Sequence, residues 1–328
     1  MIILIIAFAL LISVCFILFK LNLKRKTIRR YQNIEKLIDN WKVPNKNNIN
    51  EYESTTAVLT NISKKITGLF LISEFYFLKN DKTDSELNKL KDIYTEIIKK
   101  HPNFEKLDDV LFKYGNILFF EYFNFIESIK YYERLVKEFT NSKWLKVASA
   151  RLKLIKSAYP NEEPALKKYA LAEKYFEIQD YDKAIEYLKS VILIHPITKL
   201  AGTSCYFLGD IFFFKKGDYA TALNYYSQIV EKIPTHPYAG NAQFKIGETY
   251  RKLNKINESI IAYKKFLENY NDFQYTDYAQ YYIAQCYEEQ KDWHLALRTY
   301  KMLIANYSDS IWIGISISKV KNLEKLVK

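Results

Sequence analysis

Residues 2–19 (IILIIAFALLISVCFILF) form one apolar run in which Ser13 is the clearly polar side chain. Coiled as a helix, the run is roughly 27 Å long, about the thickness of a bilayer hydrocarbon core. From about residue 55 the pattern changes to a recurring set with spacings of 4, 3 and 5: Ala184–Leu188–Val191–Pro196, then Ala222–Tyr226–Ile229–Pro234. Ser259–Tyr263–Phe266–Asn271 and Ala296–Tyr300–Leu303–Ser308 continue it, at steps of 38, 37 and 37. Upstream, Leu90–Tyr94–Ile97–Pro102 and Ser128–Tyr132–Leu135–Thr140 keep the same spacings, 38 apart. Spacings of 4 and 3 put side chains on one helix face. The small first residue lets two helices approach, and a terminal Pro stops the helix.

A second helix type precedes each set. Ala172–Tyr175, Gly209–Phe212, Gly247–Tyr250 and Ala284–Tyr287 place a small residue three before an aromatic, with Gly115–Leu118 a weaker copy. Asn124, Asp180, Asp218 and Asp292 mark the turns between paired helices. They predict N-caps, since their side chains accept from the free N–H groups of the next helix. The turn at Lys255–Ile256 departs from this rule.

These residues resemble the tetratricopeptide repeat (TPR) over roughly residues 55–310. The period of that family is about 34 residues. Here the steps are longer, at 37–38. The longer linkers, as in PTHPYAGNAQFKIGETY, resemble the envelope TPR proteins of Gram-negative bacteria, such as the barrel-assembly lipoprotein and the Tol–Pal coordinator. The resemblance implies a right-handed superhelix of helix pairs acting as an adaptor. The chain departs from those examples in having no clear lipobox at Cys15, which Val14 precedes, and no trimerising coiled coil.

The step from Ser128 to Ala184 is longer than the others by about one helix, and the extra helix is expected at 142–159. The expected architecture is all-α. A transmembrane anchor (1–22) and a basic juxtamembrane segment and linker (23–54) precede a right-handed TPR solenoid of about six helix pairs in two stacks. These stacks are expected at 55–159 and 163–328, and the segment 310–328 caps the second.

A cleaved signal peptide competes with the anchor reading. Against it, no Lys or Arg precedes the run and no A-x-A-like site follows. Lys20, Lys24, Arg25, Lys26, Arg29 and Arg30 follow, with no acid among residues 1–30. The positive-inside tendency then keeps the solenoid cytoplasmic, the periplasmic side being the alternative. The formal charge of +12 invites a nucleic-acid reading, but outside the first thirty residues 43 basic side chains face 37 acidic ones. No nucleic-acid partner is expected.

No CxxC pair, Gly-rich phosphate loop or metalloprotease motif is present, so neither catalysis, cofactor nor metal is expected. His101 and His195 share one repeat position at the end of a second helix, where a cation suits the carbonyl end. The expected function is a membrane-anchored scaffold or adaptor that binds a protein or peptide through its concave surface, with no small-molecule substrate; a periplasmic envelope-assembly protein of the barrel-assembly or Tol–Pal kind, or a bare structural spacer, is the alternative. Tyr169, Tyr206, Phe244 and Tyr281 recur at steps of 37, 38 and 37, three before the small position. They, with Arg251, are the candidate partner-binding residues, on what the resemblance makes the concave face. Packing between neighbouring repeats is the competing role for the aromatic ladder.

Overall fold

The architecture is taken from a computed structural model, which describes residue 29, residues 32–271 and residues 273–327. The apolar run at 2–19 lies outside the described residues, as does most of the basic segment after it. Among the described residues no helix is long and apolar enough to cross a membrane.

Regular structure among the described residues is all helical. A helix at 32–39 (α1) is followed by α2 (Ile49–Val58), α3 (Ile62–Phe77), α4 (Asp84–Lys100), α5 (Leu107–Phe120), α6 (Phe125–Glu138) and α7 (Leu145–Ala158). Then come α8 (Glu163–Glu177), α9 (Tyr181–Ile194), α10 (Lys199–Asp210), α11 (Tyr219–Lys232), α12 (Ala239–Lys252), α13 (Ile256–Asn269), α14 (Thr276–Glu289), α15 (Trp293–Asn306) and α16 (Ile313–Leu326). A π-helical turn, Ile211–Lys216, continues α10. Contacts divide the chain into two compact units, Met1–Leu152 and Lys153–Lys328.

In the first unit α3 packs on α4, and α5 packs on α6. Thr83 and Glu86 form a reciprocal capping box that starts α4, whose Leu90, Tyr94 and Ile97 are fully buried. The second unit consists of four antiparallel pairs, α8/α9, α10/α11, α12/α13 and α14/α15, each packed on the next, with α16 on α15. The N-caps form as the sequence implies. Asn124, Asp180, Asp218 and Asp292 accept from the backbone N–H groups of Glu127, Lys183, Thr221 and Leu295 at 3.0–3.2 Å. Lys255 makes no such bond.

The small positions mark where a tyrosine ring lies against a helix backbone. A Cβ on Gly247 would stand 2.5 Å from Tyr263, and one on Gly209 would stand 2.4 Å from Tyr226. The turns before α6, α9, α11, α13 and α15 each carry one left-handed residue just before the N-cap: Phe123, Gln179, Gly217, Asn254 and Lys291, with φ of 50–65°. Gly217 and Asn254 apart, these are residue types for which that conformation costs energy.

Helices α7 and α16 begin alike. The hydroxyl of Ser142 donates to Asp108 and accepts from the N–H of Trp144; that of Ser310 donates to Asp277 and accepts from the N–H of Trp312. A Ser-x-Trp step thus ties each of these helices to a first helix of its own unit, α5 or α14.

Candidate functional site

The aromatic ladder is a packing device. Tyr169, Phe244 and Tyr281 are 2%, 6% and 5% exposed, and Tyr206 is half-buried. Tyr206 stacks on Tyr238 at 4.6 Å, Phe244 on Tyr275 at 5.1 Å and Tyr281 on Trp312 at 4.1 Å between ring centroids. Each ring also meets, at an angle, the second-helix tyrosine of its own pair: Tyr226 at 5.9 Å, Tyr263 at 5.5 Å and Tyr300 at 5.9 Å. Phe112 does the same in the first unit, stacked on Trp144 at 4.2 Å and tilted against Tyr132 at 6.3 Å. Tyr169 departs from the pattern: its linker carries no aromatic, and its ring lies 6.2 Å from Phe207.

This corrects the expectation that the ladder presents its faces to a partner. The stacking surfaces of Phe244 and Tyr281 are covered within the fold by rings that their linkers supply, and Tyr169 is buried against Phe207. The expectation from sequence left out the linker aromatics Trp144, Tyr238, Tyr275 and Trp312. A signal for three of them was present, since Tyr238, Tyr275 and Trp312 recur at steps of 37.

Arg251, the fifth candidate, lines a groove of 600 Å³ within the second unit. Phe213 and Phe214 from the π-helical turn form one wall with Tyr219. Glu248, Arg251 and Lys252 of α12 form the floor, with Tyr263 behind them, and Tyr282 and Glu289 of α14 close the far side. Helix α12 sends a cation to each flank. Lys245 Nζ lies 4.7 Å from the Phe214 ring centroid and 2.6 Å from a Glu248 carboxylate oxygen. The Arg251 guanidinium carbon lies 4.8 Å from the Tyr282 ring centroid, and Arg251 Nη2 donates to Glu289 at 3.2 Å. Both cations are thereby balanced inside the groove wall.

Two polar groups at the floor are buried without a hydrogen-bond partner, Arg251 Nε and the Tyr263 hydroxyl. Burial holds the Tyr263 hydroxyl well above its usual titration range. The hydroxyls of Tyr94 and Tyr300 share both the repeat position and the missing partner, so this feature belongs to the repeat. Where the next residue after the small position is short, the tyrosine is satisfied: Tyr226 donates to Asp210 at 2.6 Å and Tyr132 to Asn116 at 2.7 Å. Burial raises the carboxyl of Asp210, against the lowering effect of the Tyr226 hydrogen bond.

Three of the four histidines hold structural positions. His101 and His195 cap the C-termini of α4 and α9. His236 is 5% exposed; its Nδ1 accepts from the Tyr238 N–H at 3.1 Å, so Nε2 carries the proton and donates to the Lys199 carbonyl at 2.9 Å. Among the described residues no group of three or more His, Cys, Asp or Glu side chains stands where it could hold a metal ion.

Family models of the tetratricopeptide repeat match residues 169–237, 241–272 and 278–310, the helix pairs that build the groove and its neighbours. Residues 169–310 are tetratricopeptide repeats. The TPR pairs in this span are α8/α9 to α14/α15, and the groove lies on the face formed by their first helices. No curated protein matches the chain in sequence. Among solved structures, that of the APC/C hetero-tetramer Cut9–Hcn1 is similar, at 17% identity and a TM-score of 0.39. The match covers 84% of this chain and 52% of that one, so the chain spans about half the length of that relative.

Proposed function

We propose that the chain is a scaffold, held at a membrane by residues 2–19, whose TPR units hold a protein or peptide partner. The observation that carries this reading is the 600 Å³ groove between α10, α12 and α14, walled by aromatic rings and floored by α12. An open cleft of mixed aromatic and charged lining suits an extended or helical segment of another protein. TPR repeats generally mediate protein–protein interaction, and the sequence holds no catalytic motif. Arg251 remains a partner-facing residue, joined by Phe214, Lys252 and Tyr282. The buried rungs Tyr169, Phe244 and Tyr281 set the spacing of the first helices behind them.

The anchor rests on the uncharged run, and its orientation on the six Lys and Arg that follow it, which favour a cytoplasmic solenoid. The longer repeat step of 37–38 favours the second reading, an envelope-assembly protein with the solenoid in the periplasm.

The scaffold reading is tested by co-purification from detergent extracts of cells. A partner that travels with the wild-type chain is lost on Tyr282→Ala and kept on Arg298→Ala, which alters the groove between second helices α13 and α15. Equal retention by both variants, with unchanged melting temperatures, contradicts binding in the α10–α12–α14 groove.

A further inference from the structure

In the register of the second unit's first helices, the fifth residue after the small position is Glu177, Lys252 and Glu289 in three repeats. In the remaining repeat it is Phe214, which is 59% exposed. That repeat is also the one whose first helix ends in a π-helical turn, Ile211–Lys216. It has one residue more than its neighbours between the small position and the N-cap: Gly209 to Asp218 is nine steps, whereas Ala172 to Asp180, Gly247 to Lys255 and Ala284 to Asp292 are eight. π-Turns are rare, and they gather at functional sites. Here the turn buries Phe213, 9% exposed, and turns the adjacent Phe214 out to the rim of the groove. Lys245 braces both rings, at 5.4 Å from Phe213 and 4.7 Å from Phe214.

The groove's charges define what lies beside that ring. Lys245 is held by Glu248 and Arg251 by Glu289, so neither pair offers a net charge. Lys252 also lines the groove, is exposed, and forms no ion pair among the described residues. A lone exposed phenylalanine and a lone lysine therefore remain on one cleft.

We propose that the π-helical turn is the specificity element of the groove: Phe214 seats a bulky apolar side chain of the partner, and Lys252 pairs with an acidic side chain beside it. The partner is a peptide segment in which a large apolar residue and an aspartate or glutamate stand close together. This rests on the scaffold reading of the same groove and adds the chemistry of the segment it accepts. The apolar contact supplies most of the affinity and the exposed ion pair the preference, since rim charges contribute selectivity more than strength.

The test is a random peptide library displayed on phage, panned against the full-length chain in detergent. Binders are sorted by their loss on Tyr282→Ala, then measured against Phe214→Ala and Lys252→Glu. The proposal expects enriched peptides with a bulky apolar residue next to an acid, a loss of about tenfold or more on Phe214→Ala, and a turn of preference toward basic peptides on Lys252→Glu. Unchanged melting temperatures show that both variants fold. Groove-dependent binders that ignore Phe214→Ala, or that carry basic residues with the wild-type chain, overturn the proposal and leave the scaffold reading standing. No binder sensitive to Tyr282→Ala overturns both.

Discussion

The indole of Trp312 lies flat on the ring of Tyr281, centroids 4.1 Å apart and planes 14° from parallel. Trp312 belongs to the start of α16, and Tyr281 to the first helix of the preceding pair, so this stack, with the packing of α16 on α15 and the Ser310–Asp277 hydrogen bond, joins the last helix to the repeat array. Removing the indole with Trp312→Ala costs about 2–3 kcal/mol, less than a fully buried Trp because this one is half-buried. Hydrogen exchange then accelerates throughout α16 and little elsewhere. Trp312→Phe keeps a flat ring there and retains most of the protection.

Two glycine substitutions have opposite signs. Gly247→Ala drives a methyl to 2.5 Å from the Tyr263 ring, so despite the better helix propensity of alanine it destabilises by about 1–3 kcal/mol. At Gly314 nothing stands within 4 Å, and Gly314→Ala stabilises by about 0.5–1 kcal/mol. Denaturant midpoints of the two variants check both signs.

The left-handed turn residues give a further pair. Lys291 adopts φ of 62° with a side chain that gains nothing from it, so Lys291→Gly relieves strain and raises stability by up to about 1 kcal/mol. Gly217→Val, at φ of 65°, lowers stability by about 1–2 kcal/mol, although no neighbour stands within 4 Å to clash. Melting temperatures distinguish these backbone effects from packing.

Burial holds the imidazole of His236 below its ordinary pKa. Its Nδ1 is an acceptor, so protonation would cost the Tyr238 N–H bond as well. Above the unfolded value of about 6.5 the ring is neutral in both states and its contribution is intact. As pH falls below that value the unfolded chain takes up the proton first, and stability declines until the folded pKa is passed. His236→Gln therefore flattens the dependence of the denaturant midpoint on pH between 7 and 5, at some cost in stability at pH 7.

Much of this fold was legible in the sequence because two helical signals recur together: the spacing of 4 and 3 in each second helix, and an Asn or Asp that caps it. Asp180, Asp218 and Asp292 each form the bond their position implies. Helix α7 could be placed from leftover length, since the stretch between Ser128 and Ala184 exceeds one repeat by enough for one more helix. Packing was one of the two roles the sequence offered the aromatic ladder, but which rings cover it was not legible. Tyr281 and Trp312 lie on different helices with a whole second helix between them, and nothing in the local pattern says that a linker ring will cover a helix ring. Phe112 stands three before Gly115, the same offset as the other rungs, so its place in the ladder was there to be read. The π-turn left a trace in the one step of 38 among the ladder's steps of 37. Which way Phe214 points depends on how the extra residue is absorbed, and that needs the backbone.

The central claim is that a partner lies between α10, α12 and α14, and photo-crosslinking in living cells tests it most directly. A benzophenone amino acid replaces Tyr282 in one variant of the full-length chain and Ile261, an exposed residue on second helix α13, in the other. The account predicts a discrete protein adduct from position 282 that is lost on Phe214→Ala, and no matching adduct from position 261. The same adduct from both positions, or from 261 only, contradicts it.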